Sequence, residues 1–336
     1  MRNCFVLPLF LLVVLFSCKN NPECVVVDKF PSEVSSSPSA KLAFDSVFCS
    51  YPRMKIDGEL CCVADYATKE CFFHIYSYPS FKYVKSLVNK GHCANELEML
   101  TDFCVKDGYI YALCGAQNVV KVFNVNDKND IKVIRIPKSN GYMSIEINED
   151  GELLCNALDG NKKVHRLNTK GEILDSLVEI PRLELAGSFT PNDMCACVIR
   201  CNDDVVAIAS KHGDKIEILS GNDSQSLITV NGLNDMPEMC NGTIGSMPYT
   251  TIHYSTYVDM CVKKRIYALY CGSDHSSIPP KDMEISIRVF DLDGNPVKKY
   301  NLYANTNYSS IYADENAKKI YLIVPEEEKQ IYVYDM

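Results

Sequence analysis

Tryptophan is missing altogether from these 336 residues, and histidine is down to 6. The histidines (His74, His92, His165, His212, His253, His275) are scattered, with no His-Glu-x-x-His or His-x-His spacing, so no zinc site and no other metal is signalled. There is no Gly-x-Ser-x-Gly elbow, no Ser-x-x-Lys at a helix start and no glycine-rich phosphate loop. No cofactor is implied. Lys and Arg number 34 against 43 Asp and Glu, a net charge of −9 without a basic cluster, which argues against a nucleic-acid partner. Helical periodicity is nearly absent; only Ala94–Leu100 could make a turn or two. Without tryptophan a stacking platform for sugars is less expected, although 20 tyrosines remain.

What fills the chain instead is one pattern repeated. Six times a short apolar strand follows a turn, starting at Leu60, Ile110, Leu153, Val206, Ile266 and Ile320. The answering strands centre on Ile75, Val122, Val164, Ile216, Val289 and Val333. Two of the units align letter by letter. Phe103-Cys104-Val105-Lys106 leads to Ile110-Tyr111-Ala112-Leu113, as Met260-Cys261-Val262-Lys263 leads to Ile266-Tyr267-Ala268-Leu269. Asp-Gly stands at the hairpin position in three units (Asp57-Gly58, Asp107-Gly108, Asp150-Gly151), the strongest short turn signal because both positions accept positive φ. A strand-only period of roughly 40 to 55 residues is the mark of propeller blades. The expectation is an all-β, six-bladed β-propeller.

The ends add two further expectations. Arg2 followed by the apolar run Phe5–Phe16 is too short to span a bilayer, which takes about 20 residues, but suits a leader peptide. The chain stops directly after the third strand of the last blade, so a strand ahead of the first blade is expected to close the ring and cover the open edge. Val25–Phe30 is the first choice, because it ends in Pro31 as the outer strand Ile131–Ile136 ends in Pro137; Leu42–Phe48 is the alternative. The division expected is therefore a leader over 1–17, a tether over 18–24 and the propeller over 25–336.

Cysteine is the oddity of the composition, 17 in all. Exported chains use cysteine for disulfides, yet most of these thiols (Cys61, Cys62, Cys104, Cys114, Cys155, Cys261, Cys271) sit inside strand patterns, where a reduced thiol packs as a small hydrophobe. Cys195-Ala196-Cys197 with Cys201 could share one strand face, but about 13 Å of extended chain separates Cys197 from Cys201, too far for one ion.

Several of these motifs carry a family resemblance. Leu15-Phe16-Ser17-Cys18 resembles a lipobox, which implies that Cys18 is lipidated and becomes the first mature residue; the polar Lys19-Asn20-Asn21 stretch follows it as a tether would. An ordinary secretory leader cleaved nearby is the alternative. Together with six blades, strand endings such as Val289-Phe290-Asp291-Leu292-Asp293-Gly294 and the loop Gly91-His92-Cys93-Ala94-Asn95-Glu96-Leu97, the chain is similar to the TolB-like six-bladed propeller lipoproteins of Bacteroidetes-type bacteria. The loop departs from the family's Gly-x-Gly-Pro-x-Glu pattern at Cys93 and Ala94. The resemblance implies a lipid anchor in the cell envelope, at the outer membrane, and carries no settled catalytic role.

For function, His92 and Glu96 are candidates because four residues around a turn share a face. The insertion Asn231–Tyr254 supplies Met236, Tyr249, His253 and Tyr254, and a second insertion covers Cys271–Glu284; long loops of this kind in a compact domain are functional or disordered. Asp45-Ser46-Val47 and Asp175-Ser176-Leu177 resemble the O-glycosylation triplet of such bacteria. The expected function is a membrane-anchored module binding an envelope protein or a small ligand. A lyase or hydrolase at the channel mouth is the alternative.

Overall fold

The structure, a computed structural model, describes residues 23–43, 52–138, 141–158, 162–180, 196–220, 226–244, 247–276, 281–302, 307–325 and 330–336. Six sheets stand around an axis, each made of antiparallel strands that run from the axis outward. Blade one holds Pro52–Asp57, Leu60–Asp65, Cys71–Ser77 and Lys82–Asn89. Blade two holds Asp102–Lys106, Tyr109–Cys114, Val119–Asn124 and Ile131–Arg135. Blade three holds Tyr142–Ile147, Leu153–Ala157, Lys162–Leu167 and Ile173–Glu179, and blade four Cys197–Cys201, Val205–Ser210, Lys215–Ser220 and Ser226–Asn231. Blade five holds Tyr254–Val262, Ile266–Asp274, Lys281–Phe290 and Pro296–Asn301; blade six holds Ser310–Asp314, Lys319–Val324 and Gln330–Asp335. The first strand of each blade touches the first strands of its two neighbours, so these six line the channel.

The expected turns form where glycine allows them. Asp107 and Gly108 both take positive φ (52° and 75°), the two-residue hairpin turn whose twist matches the strands it joins. The only helix among the described residues is the short 3₁₀ turn Gly115–Gln117, and none is long and apolar enough to cross a membrane. Ala94–Leu100 makes a turn at Ala94-Asn95 and no helix, because the ammonium of Lys121 draws in the carbonyls of Cys93, Ala94 and Glu96 (3.3, 3.4 and 2.6 Å).

Strands buried on both faces fill six separate cores, one between each pair of adjacent blades. The adjacent thiols show the geometry. Cys61 faces the core between blades six and one, and Cys62 the core between blades one and two. Cys61, Cys62, Cys104, Cys114, Cys155, Cys197 and Cys261 are buried free thiols, and Cys271 is half-buried. Burial pushes the Cys114 thiol up to about 11 and those of Cys61, Cys62, Cys104 and Cys155 higher still. Cys195 lies outside the described residues.

The N-terminal segment corrects the first expectation about closure. Val25–Phe30 does not pair with blade six. Glu23–Val26 runs parallel to the outer strand of blade four, with Glu23 opposite Ile228 and Val26 opposite Asn231. Glu33–Ser35 then runs parallel to the outer strand of blade five. Ala40–Ala43 closes the ring, antiparallel to Gln330–Asp335 with Leu42 opposite Ile331. The alternative, Leu42–Phe48, is met in its described part. Chain reach explains the outcome: the closing strand must be followed at once by Pro52 at the axis, and crossing the four strands of a blade spans about 14 Å. The eight residues 44–51 are long enough to span that distance, whereas a strand ending at Phe30 would leave 21 residues to connect. The segment is thus a belt around three blade edges, and it begins at Glu23, inside the stretch expected to be a tether.

This geometry orders two truncations. Starting the mature chain at Ser39 should leave a closed ring that unfolds cooperatively, because Ala40–Ala43 is retained. Starting it at Phe48 should cost at least about 2 kcal/mol more, the scale of a buried apolar side chain together with its ladder hydrogen bonds. Urea unfolding of the two forms decides it; equal stabilities would show that Ala40–Ala43 does not close the ring.

Candidate functional site

A propeller leaves six strand edges unpaired at its axis, and their N–H groups need acceptors. Polar side chains on the innermost strands provide them. Asp102 stands one residue before the repeat Phe103–Lys106, and Asp259 one residue before its copy Met260–Lys263. Each carboxylate reaches the next blade: Asp102 Oδ2 accepts the N–H of Ile145 and Asp259 Oδ2 that of Ile311, both at 3.1 Å. Ser310 Oγ lies 2.8 Å from Asp259 Oδ2, and it accepts the N–H of Met54 in blade one at 3.1 Å. Arg200, 7% exposed, donates through Nε to Met260 O (3.0 Å) and through Nη2 to Asp259, and its Nη1 lies 3.5 Å from Glu146 of blade three. Arg53 of blade one lies 3.6 Å from Asp102 of blade two, whose Oδ1 also accepts from Tyr66 at 3.2 Å. Every junction between blades is therefore bridged by a polar contact at the axis.

The charges in this tier are tuned by one another. Burial raises the pKa of Asp259, but Arg200, Lys55 and the bonds from Met260 N–H and Ser310 overcome it and hold the carboxyl at about 2. Burial raises Glu146, against the pull of Lys55 and Arg200. Lys55 has its Nζ fully buried with no hydrogen-bond partner among the described residues.

The tier divides the channel into two mouths of different character. At the ends of the innermost strands is a cavity of 380 Å³, lined among others by Lys55, Asp57, Lys106, Glu146, Glu149 and Arg200. Two of its carboxylates are engaged: Glu149 pairs with Lys106 at 3.0 Å, and Asp57 accepts the N–H of Asp107 at 2.7 Å. The opposite cavity, 620 Å³, opens at the starts of those strands and is lined by Arg53, Tyr66, Ala67, Thr101, Met143, Lys211, Val258, Asn307, Tyr308, Ser309 and Pro325. No carboxylate is among them. Burial, then the charge of Arg53, lowers the pKa of Lys211, and beside it burial and Lys211 bring His212 down to about 4. No group of three or more His, Cys, Asp or Glu among the described residues is placed to hold a metal.

The residues singled out in the sequence fall in two places. His92 and Glu96 sit in the loop between blades one and two, close enough to interact. Glu96 accepts the N–H of Cys93 at 3.0 Å, which with the Cys93 thiol lowers its pKa, while the exposed ring of His92 faces Glu98 at 3.6 Å. A side chain at Gly91 would collide with the Glu96 carboxylate, so the loop is a capped turn. Met236, Tyr249, His253 and Tyr254 belong to the first insertion, which folds as an ordered hairpin, Met239–Ile244 with Met247–Ile252. Tyr249 lies in its return strand. Half-buried Met236 precedes it, and His253 stacks on Tyr254 (3.8 Å, 22°). The ring of His253 stands between Asp274 (3.2 Å from Nε2) and Glu238 (3.5 Å from Nδ1). The hairpin leads into the innermost strand of blade five, where Val258 lines the larger mouth. The second insertion is an extension of the blade-five hairpin, Ile266–Asp274 with Lys281–Phe290. Ser176 of one glycosylation triplet lies in the outer strand of blade three; Cys18 and Asp45–Val47 lie outside the described residues.

The channel charges (Arg53, Lys55, Asp102, Glu146, Arg200, Lys211, Asp259) went unread in the sequence. A signal was there: a charge set inside an apolar strand, as in Cys197-Val198-Ile199-Arg200-Cys201, is expected only where it is paired. Asp259→Ala should cost about 3–5 kcal/mol, since it leaves buried Arg200 with only the longer contact to Glu146 as an ion pair among the described residues. Because the folded carboxyl is depressed from 3.8 to about 2, its contribution is complete above 3.8 and is lost as the pH falls toward 2. Asp259→Asn should therefore unfold with a flatter acid limb in that window. An acid limb unchanged in urea titrations from pH 5 to about 2 would remove Asp259 from the circuit.

Comparison with known proteins agrees with the fold. No curated protein matches the sequence. Crystal structures align over 90% of the chain: a member of the DUF4221 family from Bacteroides vulgatus ATCC 8482 (TM-score 0.59, 11% identity, 97% of that chain). A Bacteroides fragilis NCTC 9343 protein described as exported also covers 90% (TM-score 0.54, 15% identity, 87% of that chain). Residues 29–316 match the family described as TolB-like 6-blade propeller-like, and with six blades closed around one axis the chain belongs to that family.

Proposed function

We propose that this chain is a lipid-anchored envelope protein that binds a ligand or a partner protein at the larger channel mouth. The observation that carries the reading is the lining of that mouth. Arg53, Lys211, Asn307, Tyr66, Tyr308 and Met143 combine hydrogen-bond donors with aromatic and apolar surface, the composition of a recognition pocket. The hairpin Met239–Ile252 leads into the strand that carries Val258 to that mouth, and binding loops are commonly set on such a scaffold. Glu149, Glu146 and Asp57 of the smaller mouth are engaged by Lys106, Arg200 and a backbone N–H group, which favours a structural use for these three over acid–base chemistry. An exported relative of the same fold supports placement in the envelope.

Two measurements test this reading. Glu238 and His253 face each other across the hairpin base (His253 N–H to Glu238 O, 2.8 Å), so residues 239–252 can be replaced by Asn-Gly without opening blade five. The shortened protein should lose at least one envelope partner captured by the parent; an unchanged set, with unfolding also unchanged, would exclude the hairpin from binding. For the anchor, Cys18→Ala should move the protein from the membrane fraction to the soluble one. Five extended residues from Cys18 to Glu23 reach about 17 Å, so the belt would hold the edge of blade four close to the bilayer. Continued membrane association of Cys18→Ala would sink the lipid-anchor reading.

A further inference from the structure

We propose that the larger mouth is a binding site for an organic carboxylate, held between the guanidinium of Arg53 and the ammonium of Lys211. The inference rests on the binding reading above and narrows it to a ligand class. Four cations occupy the channel and this mouth (Arg53, Lys55, Arg200 and Lys211), and three carboxylates answer them (Asp102, Glu146 and Asp259). Glu146 and Asp259 draw on Arg200 and Lys55, and Asp102 pairs with Arg53, so Lys211 at the larger mouth is left to share Asp102. Lys211 makes no ion pair or side-chain hydrogen bond among the described residues, and no carboxylate is among the cavity's described lining. Among the described residues Arg53 has one ion pair, at 3.6 Å, to an Asp102 that already accepts from Tyr66 and from the Ile145 N–H. Arg53 and Lys211 are also near enough to repel each other. A single negative charge placed between them relieves that repulsion and replaces the hydration that both cations lose in the cavity.

Geometry and lining select the class of anion. Phosphate sites are built from glycine-rich N–H nests or helix N-termini, and neither lines this mouth among the described residues. A guanidinium fork beside an ammonium suits a planar carboxylate, and Tyr66, Tyr308, Met143 and Val258 offer apolar surface for the body that carries it. The cavity of 620 Å³ accommodates a ligand the size of an acidic sugar or a short peptide ending in its free carboxylate.

The test uses the mature full-length protein and matched pairs of probes. Galacturonate is compared with galactose, and N-acetyl-alanyl-alanine with its amide, by isothermal titration. At least one carboxylate should bind at least about tenfold more tightly than its neutral counterpart, the scale of a hydrogen-bonded charge pair, and whichever pair discriminates identifies the source. Lys211→Met should abolish that discrimination without lowering stability, and Lys211→Arg should restore it. The same carboxylate should protect Lys211 from acetylation by acetic anhydride, read by mass spectrometry. Equal affinity for acid and neutral probes, no binding by either acid, or discrimination that survives Lys211→Met would overturn the proposal. Capture of a protein partner through the hairpin is read separately, so either idea can fail while the other stands.

Discussion

Six sheets radiating from an axis bring six unpaired strand edges together where no seventh strand can cover them. The polar circuit at the channel answers that constraint, and the ring depends on it. Asp102, Asp259 and Ser310 accept the N–H groups of Ile145, Ile311 and Met54 across blade junctions, and Arg200 ties blades three, four and five through Glu146 and Asp259. Buried ion pairs often contribute little net stability, because desolvation offsets their attraction. Here the alternative is not a tidy apolar plug but a row of orphaned backbone donors, each costing about 1–3 kcal/mol if left unmade. The circuit is therefore better understood as the solution to an edge problem than as a set of salt bridges added to a finished fold.

The outer edges are handled by different means. Blades one to three end in strands open to solvent, where apolar side chains such as Val84, Val133 and Leu174 stand about half exposed. Blades four to six are covered by the belt, which gives blades four and five a fifth strand and blade six its fourth. Glu33 of the belt pairs with Lys299 at 3.0 Å, and Phe30 packs on Phe290 with ring centroids 5.4 Å apart, so the segment is attached by side chains as well as by its ladders. The belt thus joins closure of the ring to the position of whatever precedes residue 23.

The two mouths differ because the circuit sits between them. At the ends of the innermost strands lysines and carboxylates stand together, and Lys106 pairs with Glu149. At their starts the acceptors are spent on the circuit, and Arg53 and Lys211 face a cavity without an acid among its described lining. A structural requirement at the axis leaves a chemical asymmetry at the surface, and that asymmetry is where recognition is best placed.

Hairpin order was legible in the sequence because it is local. The six strand returns, the Asp-Gly turns and the both-face burial of Cys61-Cys62 depend on neighbours a few residues away and on the two-residue period of a strand. The aligned repeats around Phe103 and Met260 even contained the aspartates of the circuit, one residue upstream, without disclosing that they meet the next blade. Pairs far apart in the chain were not legible. Arg200 finds Asp259 and Ser310 finds Met54, separated by 59 and 256 residues, only because closure brings their strands to one axis. His92 and Glu96 share a spacing, and Glu96 is engaged by the backbone of the loop it caps. For the belt, the sequence showed strand-like pieces at the N-terminus but could not choose their edges; an edge accepts any extended segment within reach, so chain length and the position of Pro52 decided that Ala40–Ala43 closes the ring. Local periodicity determined the blades, and tertiary closure determined which charges and edges meet.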